Sequence, residues 1–177
     1  MDSSTINERT AKWMWKAMRD QEILISQAKE GASEWYSKLL ANVAGADGTF
    51  SPPERHWIIG NRAAFGASEK LLTELEKYEP SADELEQLLS DKYKQYIPLV
   101  NRITIYESFQ AASADGELHA AERKAITKVA AKLGVEESIV KQIEEIHDEE
   151  VKLKKRRHAL LFADGGIKKA LDMAMNL

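Results

Sequence analysis

Between Ala44 and Gly66 the chain reads AGADGTFSPPERHWIIGNRAAFG, and between Ala112 and Gly134 it reads ASADGELHAAERKAITKVAAKLG. The two stretches align without a gap and share nine of twenty-three positions: Ala, Ala, Asp, Gly, Glu, Arg, Ile, Ala and the closing Gly. Phe50 faces Leu118 and Phe65 faces Leu133, and past the Gly Leu71, Leu72 and Leu75 align with Ile139, Val140 and Ile143. Each unit reads helix, Asp-Gly turn, helix, Gly, helix. Two copies at this spacing predict a pseudo-twofold pair of helical hairpins packed face to face, because a solenoid needs three or more units.

The rest of the chain supports an all-α fold. Four prolines and nine glycines leave long unbroken segments, and their apolar residues recur at helical rather than alternating spacing. A first helix is expected from Thr5 to Lys29, with Met14, Met18, Ile25 and Ala28 as its stripe. Gly31 should break it, and Ser33 should open a second helix through Trp35, Leu39, Leu40 and Val43. Ser51-Pro52-Pro53-Glu54 supplies an N-cap, a proline at the first helical position and a capping-box Glu. That third helix ends near Gly66, a fourth stops before Pro80, and Ser81-Ala82-Asp83-Glu84 opens a short fifth. Further helices are expected over 97–114, 119–132, 136–162 and 167–175. The expectation is one all-α domain over 1–177 with eight or nine helices. It comprises an extra N-terminal helix (5–29), repeat one (33–78), repeat two (97–162) and a short C-terminal helix (167–175).

Composition narrows the function classes. Hydrophobic residues make up 44% of the chain, enough for a core, and the net charge of −4 gives no general attraction to nucleic acid. Without cysteine there are no disulfides, thiolate metal sites or cysteine nucleophile. No apolar run is long enough to span a membrane. The start, MDSSTINERTAK, lacks the apolar stretch of a signal peptide, so a soluble cytoplasmic protein is expected.

The Asp-Gly turns admit two readings. In a twelve-residue calcium loop, oxygen ligands stand at positions 1, 3, 5, 7, 9 and 12 around a Gly at 6. With Gly48 at 6, Asp47 falls at 5, Thr49 at 7, Ser51 at 9 and Glu54 at 12. With Gly116 at 6, Asp115, Glu117, His119 and Glu122 fall at the same places. The first half of the loop is missing: positions 1 and 3 are Val43 and Gly45, then Ala111 and Ser113. Turn-and-cap chemistry explains the same residues. The Gly takes positive φ, the Asp bonds locally, and the Glu sits at the positive end of the next helix.

The pattern helix-Ala-Asp-Gly-x-hydrophobe-x-x-x-Glu-Arg, followed by an amphipathic helix and a Gly, resembles the TerB (tellurite resistance) family. That group also takes in the N-terminal region of a membrane-anchored DnaJ-like protein. The resemblance runs from about Trp35 to Ile146. It implies an all-helical, internally pseudo-symmetric domain with an acidic patch for which divalent-cation binding has been proposed. It also implies non-enzymatic action in stress-resistance or defence-linked assemblies, often near membranes. By motif match the metal candidates are Asp47, Glu54, Asp115 and Glu122, and the ion would be a weakly bound divalent cation such as calcium. The mild net charge and the basic run in the second half depart from the acidic family character.

Other features carry less. Glu144 and His147 form a Glu-x-x-His pair, but a di-metal bundle needs a second and none occurs. His56 and His119 flank the two glutamates and read as surface or capping residues. In KLKKRR (152–157), Lys152 and Lys154 follow Asp148 and Glu150 by four residues, a self-solvating arrangement, whereas Lys155, Arg156 and Arg157 have no such acid. Those three are the candidate partner-binding residues, for an acidic protein or an anionic membrane surface. Trp13, Trp15, Trp35 and Trp57 are expected as core anchors. The expected function is a non-catalytic, cytoplasmic binding or scaffold module with a protein partner and no nucleic acid. The alternatives are an immunity-type protein that blocks a toxin through its surface and a small metal-dependent enzyme using the acidic turns.

Overall fold

The computed structural model describes residues 3–20, 30–90 and 101–163, with positions 166 and 169. Among them run eight helices and no strand: α1 (Ser3–Arg19), α2 (Glu30–Ala44), α3 (Pro52–Ala64), α4 (Glu69–Glu76), α5 (Ala82–Leu88), α6 (Asn101–Ala112), α7 (Ala120–Lys132) and α8 (Glu137–Leu161). A single 3₁₀ turn, Gly45–Asp47, follows α2. Apart from Lys169, the expected helix over 167–175 lies outside the described residues, as do the stripe residues Ile25 and Ala28.

The two helices that lead into the Asp-Gly turns, α2 and α6, pack against each other at the centre. Both are buried around most of their circumference. Leu39, Leu40, Val43 and Ala44 of α2 and Ile105 and Ala111 of α6 have no exposed surface. Polar residues buried on these two helices, such as Ser37, Thr104 and Ser108, bond to the carbonyl or side chain of a neighbour, and the remaining helices supply the cover. Helices α3 and α4 pack on each other, α5 lies on α2, and α7 and α8 lie on α6. The 3₁₀ turn of the first half rests on α7 of the second, so the two turns adjoin.

Local chemistry sets the helix ends. At Ser51, the hydroxyl accepts from the Glu54 amide at 3.4 Å and the Glu54 carboxylate accepts from the Ser51 amide at 2.7 Å, completing the capping box. Ser81 caps α5 in the expected way, its hydroxyl accepting from Glu84 N–H at 3.2 Å. After α3 and α7 the chain closes through Gly66 at φ 86° and Gly134 at φ 69°. In each case the next residue's amide bonds five residues back, Ala67 to Arg62 and Val135 to Ala130, both at 2.9 Å.

Four expectations need correction. Helix α1 ends at Arg19 rather than running on to Lys29, because Asp20 takes the left-handed conformation at φ 49°, which Asp tolerates. Gly31 breaks nothing: α2 begins at Glu30 and runs through it, since burial of the downstream face outweighs the ~1 kcal/mol cost of one helical glycine. Trp13 is no core anchor. It is 64% exposed, while Trp35 is buried with its Nε1–H donating to Leu88 O at 2.9 Å, and Trp15 meets the Phe65 ring edge-on at 4.8 Å. The i,i+4 pairs on α8 do not form. Glu150 instead accepts from the Tyr106 hydroxyl at 2.6 Å, and Asp148 Oδ1 lies 3.3 Å from His147 Nδ1.

Candidate functional site

Gly48 at φ 97° and Gly116 at φ 106° turn the chain after α2 and α6. In both turns the preceding Asp closes the loop on itself: Asp47 Oδ1 accepts from Thr49 N–H at 2.8 Å and Asp115 Oδ1 from Glu117 N–H at 3.0 Å. Glu122 accepts from the His119 amide at 2.6 Å, as Glu54 does from Ser51. The turn-and-cap reading therefore describes both copies.

The two glutamates go further than capping. Glu54 is 2% and Glu122 1% exposed, and although 68 positions apart their carboxyl groups hydrogen-bond to each other. Two carboxylates held this close and out of water cannot both carry charge. Burial, opposed by the His119 amide and reinforced by the Glu54 and Asp47 charges, pushes Glu122 up to about 8. Glu54 is also raised, chiefly by burial, with its two Ser51 bonds pulling the other way. The pair therefore titrates as a unit and keeps one proton between its two carboxyl groups at neutral pH. Asp47 bears electrostatically on Glu122 and Asp115 on Glu54, so each turn reaches the glutamate of the opposite copy.

The donors are all oxygens, the chemistry a hard cation takes. As the side chains stand they do not form a cage: among the described residues no three His, Asp or Glu side chains converge as metal ligands. Each Asp is engaged by its own loop, and His119 Nε2 lies 3.8 Å from Asp47 Oδ2. His56 is exposed. Glu144 and His147 do not act together, because Glu144 pairs with Arg123 while His147 turns inward. Lys155, Arg156 and Arg157 are exposed on the second half of α8, away from the glutamate pair in sequence and element.

Three polar groupings were not read from the sequence. Arg55, half of the repeated Glu-Arg pair, donates to the carbonyls of Leu75 at 2.8 Å and Tyr78 at 2.7 Å, capping α4 from a neighbouring helix. The repetition of Glu-Arg was the signal that could have found it. Glu107 accepts from both Tyr36 and Arg62 at 2.8 Å, and Arg62 lies over the Tyr36 ring. Ser113, His147 and Asp148 make a hydroxyl–imidazole–carboxylate row, with Ser113 Oγ 2.8 Å from His147 Nε2. That row links the end of α6 to α8, and the Ser113 hydroxyl lies 2.8 Å from Phe109 O as well as from His147 Nε2.

The profile of the family described as tellurite resistance protein TerB matches residues 36–145. A crystal structure of a tellurite resistance protein from Nostoc punctiforme PCC 73102 is similar throughout. It is 28% identical, covers 94% of this chain and 99% of its own, and superposes with a TM-score of 0.73. No curated protein matches. With the family profile spanning more than half of its length, the chain belongs to the TerB family.

Proposed function

We propose that this chain is a non-catalytic, cytoplasmic binding module of the TerB type, working through a protein partner in a stress response such as tellurite resistance. Its carboxylate junction takes a divalent cation weakly. The observation that supports the cation reading is the meeting of Glu54 and Glu122, which brings acids of both copies together where either turn alone supplies half a loop. Weak affinity follows from the same geometry. Each turn lacks a side-chain carboxylate at the first and third ligand positions, and one oxygen each of Asp47 and Asp115 is already taken by its own loop. Even complete extracellular calcium sites bind only at ~10⁻⁴–10⁻³ M.

Calorimetric titration of the metal-free protein with calcium tests this. The expected result is binding at or weaker than that range, lost in both Asp47→Asn and Glu122→Gln. Micromolar binding abolished by Asp47→Asn alone would make the first turn an independent metal loop. Absence of any saturable heat at millimolar calcium would remove the cation from the function.

A further inference from the structure

From Lys152 to Leu161 every residue of α8 is exposed. The helix nevertheless carries an apolar stripe there. Ile146, Leu153 and Leu160 are 52%, 60% and 78% exposed and stand seven residues apart, two turns of helix, so they share one face. Charge along α8 is divided. Glu144, Glu145, Asp148, Glu149 and Glu150 precede the middle of the stripe, and from Lys152 to Ala163 there is no acid but five lysines and arginines.

We infer that α8 is a self-association surface, on which a second copy of this chain docks its own α8 antiparallel about a twofold axis at Leu153. The spacing selects this partner. Ile146 lies seven residues before Leu153 and Leu160 seven after, so an antiparallel pair sets Ile146 against Leu160 of the second copy and Leu153 against its counterpart. At 100° per residue, Glu149 and Arg156 flank the stripe on one side, Glu150 and Arg157 on the other. In antiparallel helices the same flanks meet. Glu149 then faces Arg156 of the second copy, and Glu150 faces its Arg157, each placed three or four residues from the axis. A parallel pair would set acids on acids and bases on bases, so charge selects the antiparallel register.

The stripe also leads into a groove of about 610 Å³ between α1, α6 and α8, lined by Ala17, Ile103, Tyr106, Ile139, Ile143 and Ile146. An antiparallel second copy brings the exposed Leu161 toward the mouth of this groove. Tyr106 holds the Glu150 carboxylate at its edge through their 2.6 Å hydrogen bond. A single helix face is smaller than the roughly 800 Å² per partner of a standard interface, so the dimer is weak and concentration-dependent. Its rim of ion pairs makes it sensitive to salt. The inference is independent of the cation site.

Sedimentation equilibrium of the full chain tests it. The mass should rise with concentration from 19.9 kDa toward twice that value, and less so at high salt. Arg156→Glu with Arg157→Glu should weaken association at least tenfold, as should Glu149→Arg with Glu150→Arg. Combining all four substitutions should restore it, and so should mixing the two charge-swapped proteins. All four positions are exposed, and circular dichroism checks that the fold is kept. Orientation is read by disulfide trapping, since the chain has no cysteine of its own. Ile146→Cys and Leu160→Cys should cross-link when mixed and not when oxidised separately. A monomer at every concentration overturns the inference, as does a monomer that instead sediments with anionic vesicles. Cross-linking of either cysteine variant with itself alone overturns the antiparallel register.

Discussion

At Glu122 the chain buries a carboxyl group whose protonated form is the one the fold prefers. Its folded value of about 8 stands above the ~4.3 of a free glutamate, so between those limits the folded state binds more protons than the unfolded. Stability therefore falls as pH rises from about 4.5 toward 8 and levels off above. The slope from this group is at most ~1.4 kcal/mol per pH unit. Denaturant midpoints measured from pH 5 to 9 with chelator present should follow that course, and Glu122→Gln should flatten it. A wild-type midpoint that rises across this window would contradict the shared proton. Gly45 shows why the first half of a calcium loop is missing. A Cβ there would lie 2.9 Å from the Pro80 ring, while Val43 and Ala111, at the first ligand position, are wholly buried in the core. Ser113, at the third position of the second copy, is engaged by His147. Packing occupies the positions a calcium loop would need. Gly45→Ala should destabilise by about 1–3 kcal/mol, the usual cost of overpacking, because the rigid proline cannot yield. A thermal midpoint equal to wild type would show that the 3₁₀ turn shifts freely.

The helices separate what a one-dimensional pattern reveals from what it hides. Starts written by side chains within four residues were legible: Ser51 and Ser81 cap α3 and α5 where their capping boxes indicate. Ser51→Ala should cost about 0.5–2 kcal/mol, the value of a lost N-cap, and Pro52→Ala much less, since a proline at that position removes only an unused donor. Equal midpoints for Ser51→Ala and wild type would mean that Glu54 alone holds the helix start. Ends that depend on remote neighbours were not legible. Helix α4, for example, is capped by Arg55 from another helix. The i,i+4 acid–base spacing on α8 failed for the same reason, because Tyr106 of α6 takes Glu150.

For the whole molecule, the repeat indicated that two Asp-Gly turns exist but not that they touch. Both Asp bonds, both positive-φ glycines and both Glu-to-amide bonds recur, and this shared chemistry supports the proposal that the halves are related by a twofold. What a linear reading cannot supply is the contact between residues 68 positions apart, because it arises only when α2 and α6 cross and bring their turns side by side. That contact converts two capping residues into one acid–base unit and makes the junction, rather than either turn, the candidate site. Carbon-detected NMR titration of the side-chain carboxyls tests this pairing most directly. The account predicts that one glutamate carboxyl titrates near pH 8, that Glu122→Gln removes this step, and that Glu54→Gln shifts it. Two carboxyls at positions 54 and 122 titrating independently near their ordinary value would contradict it.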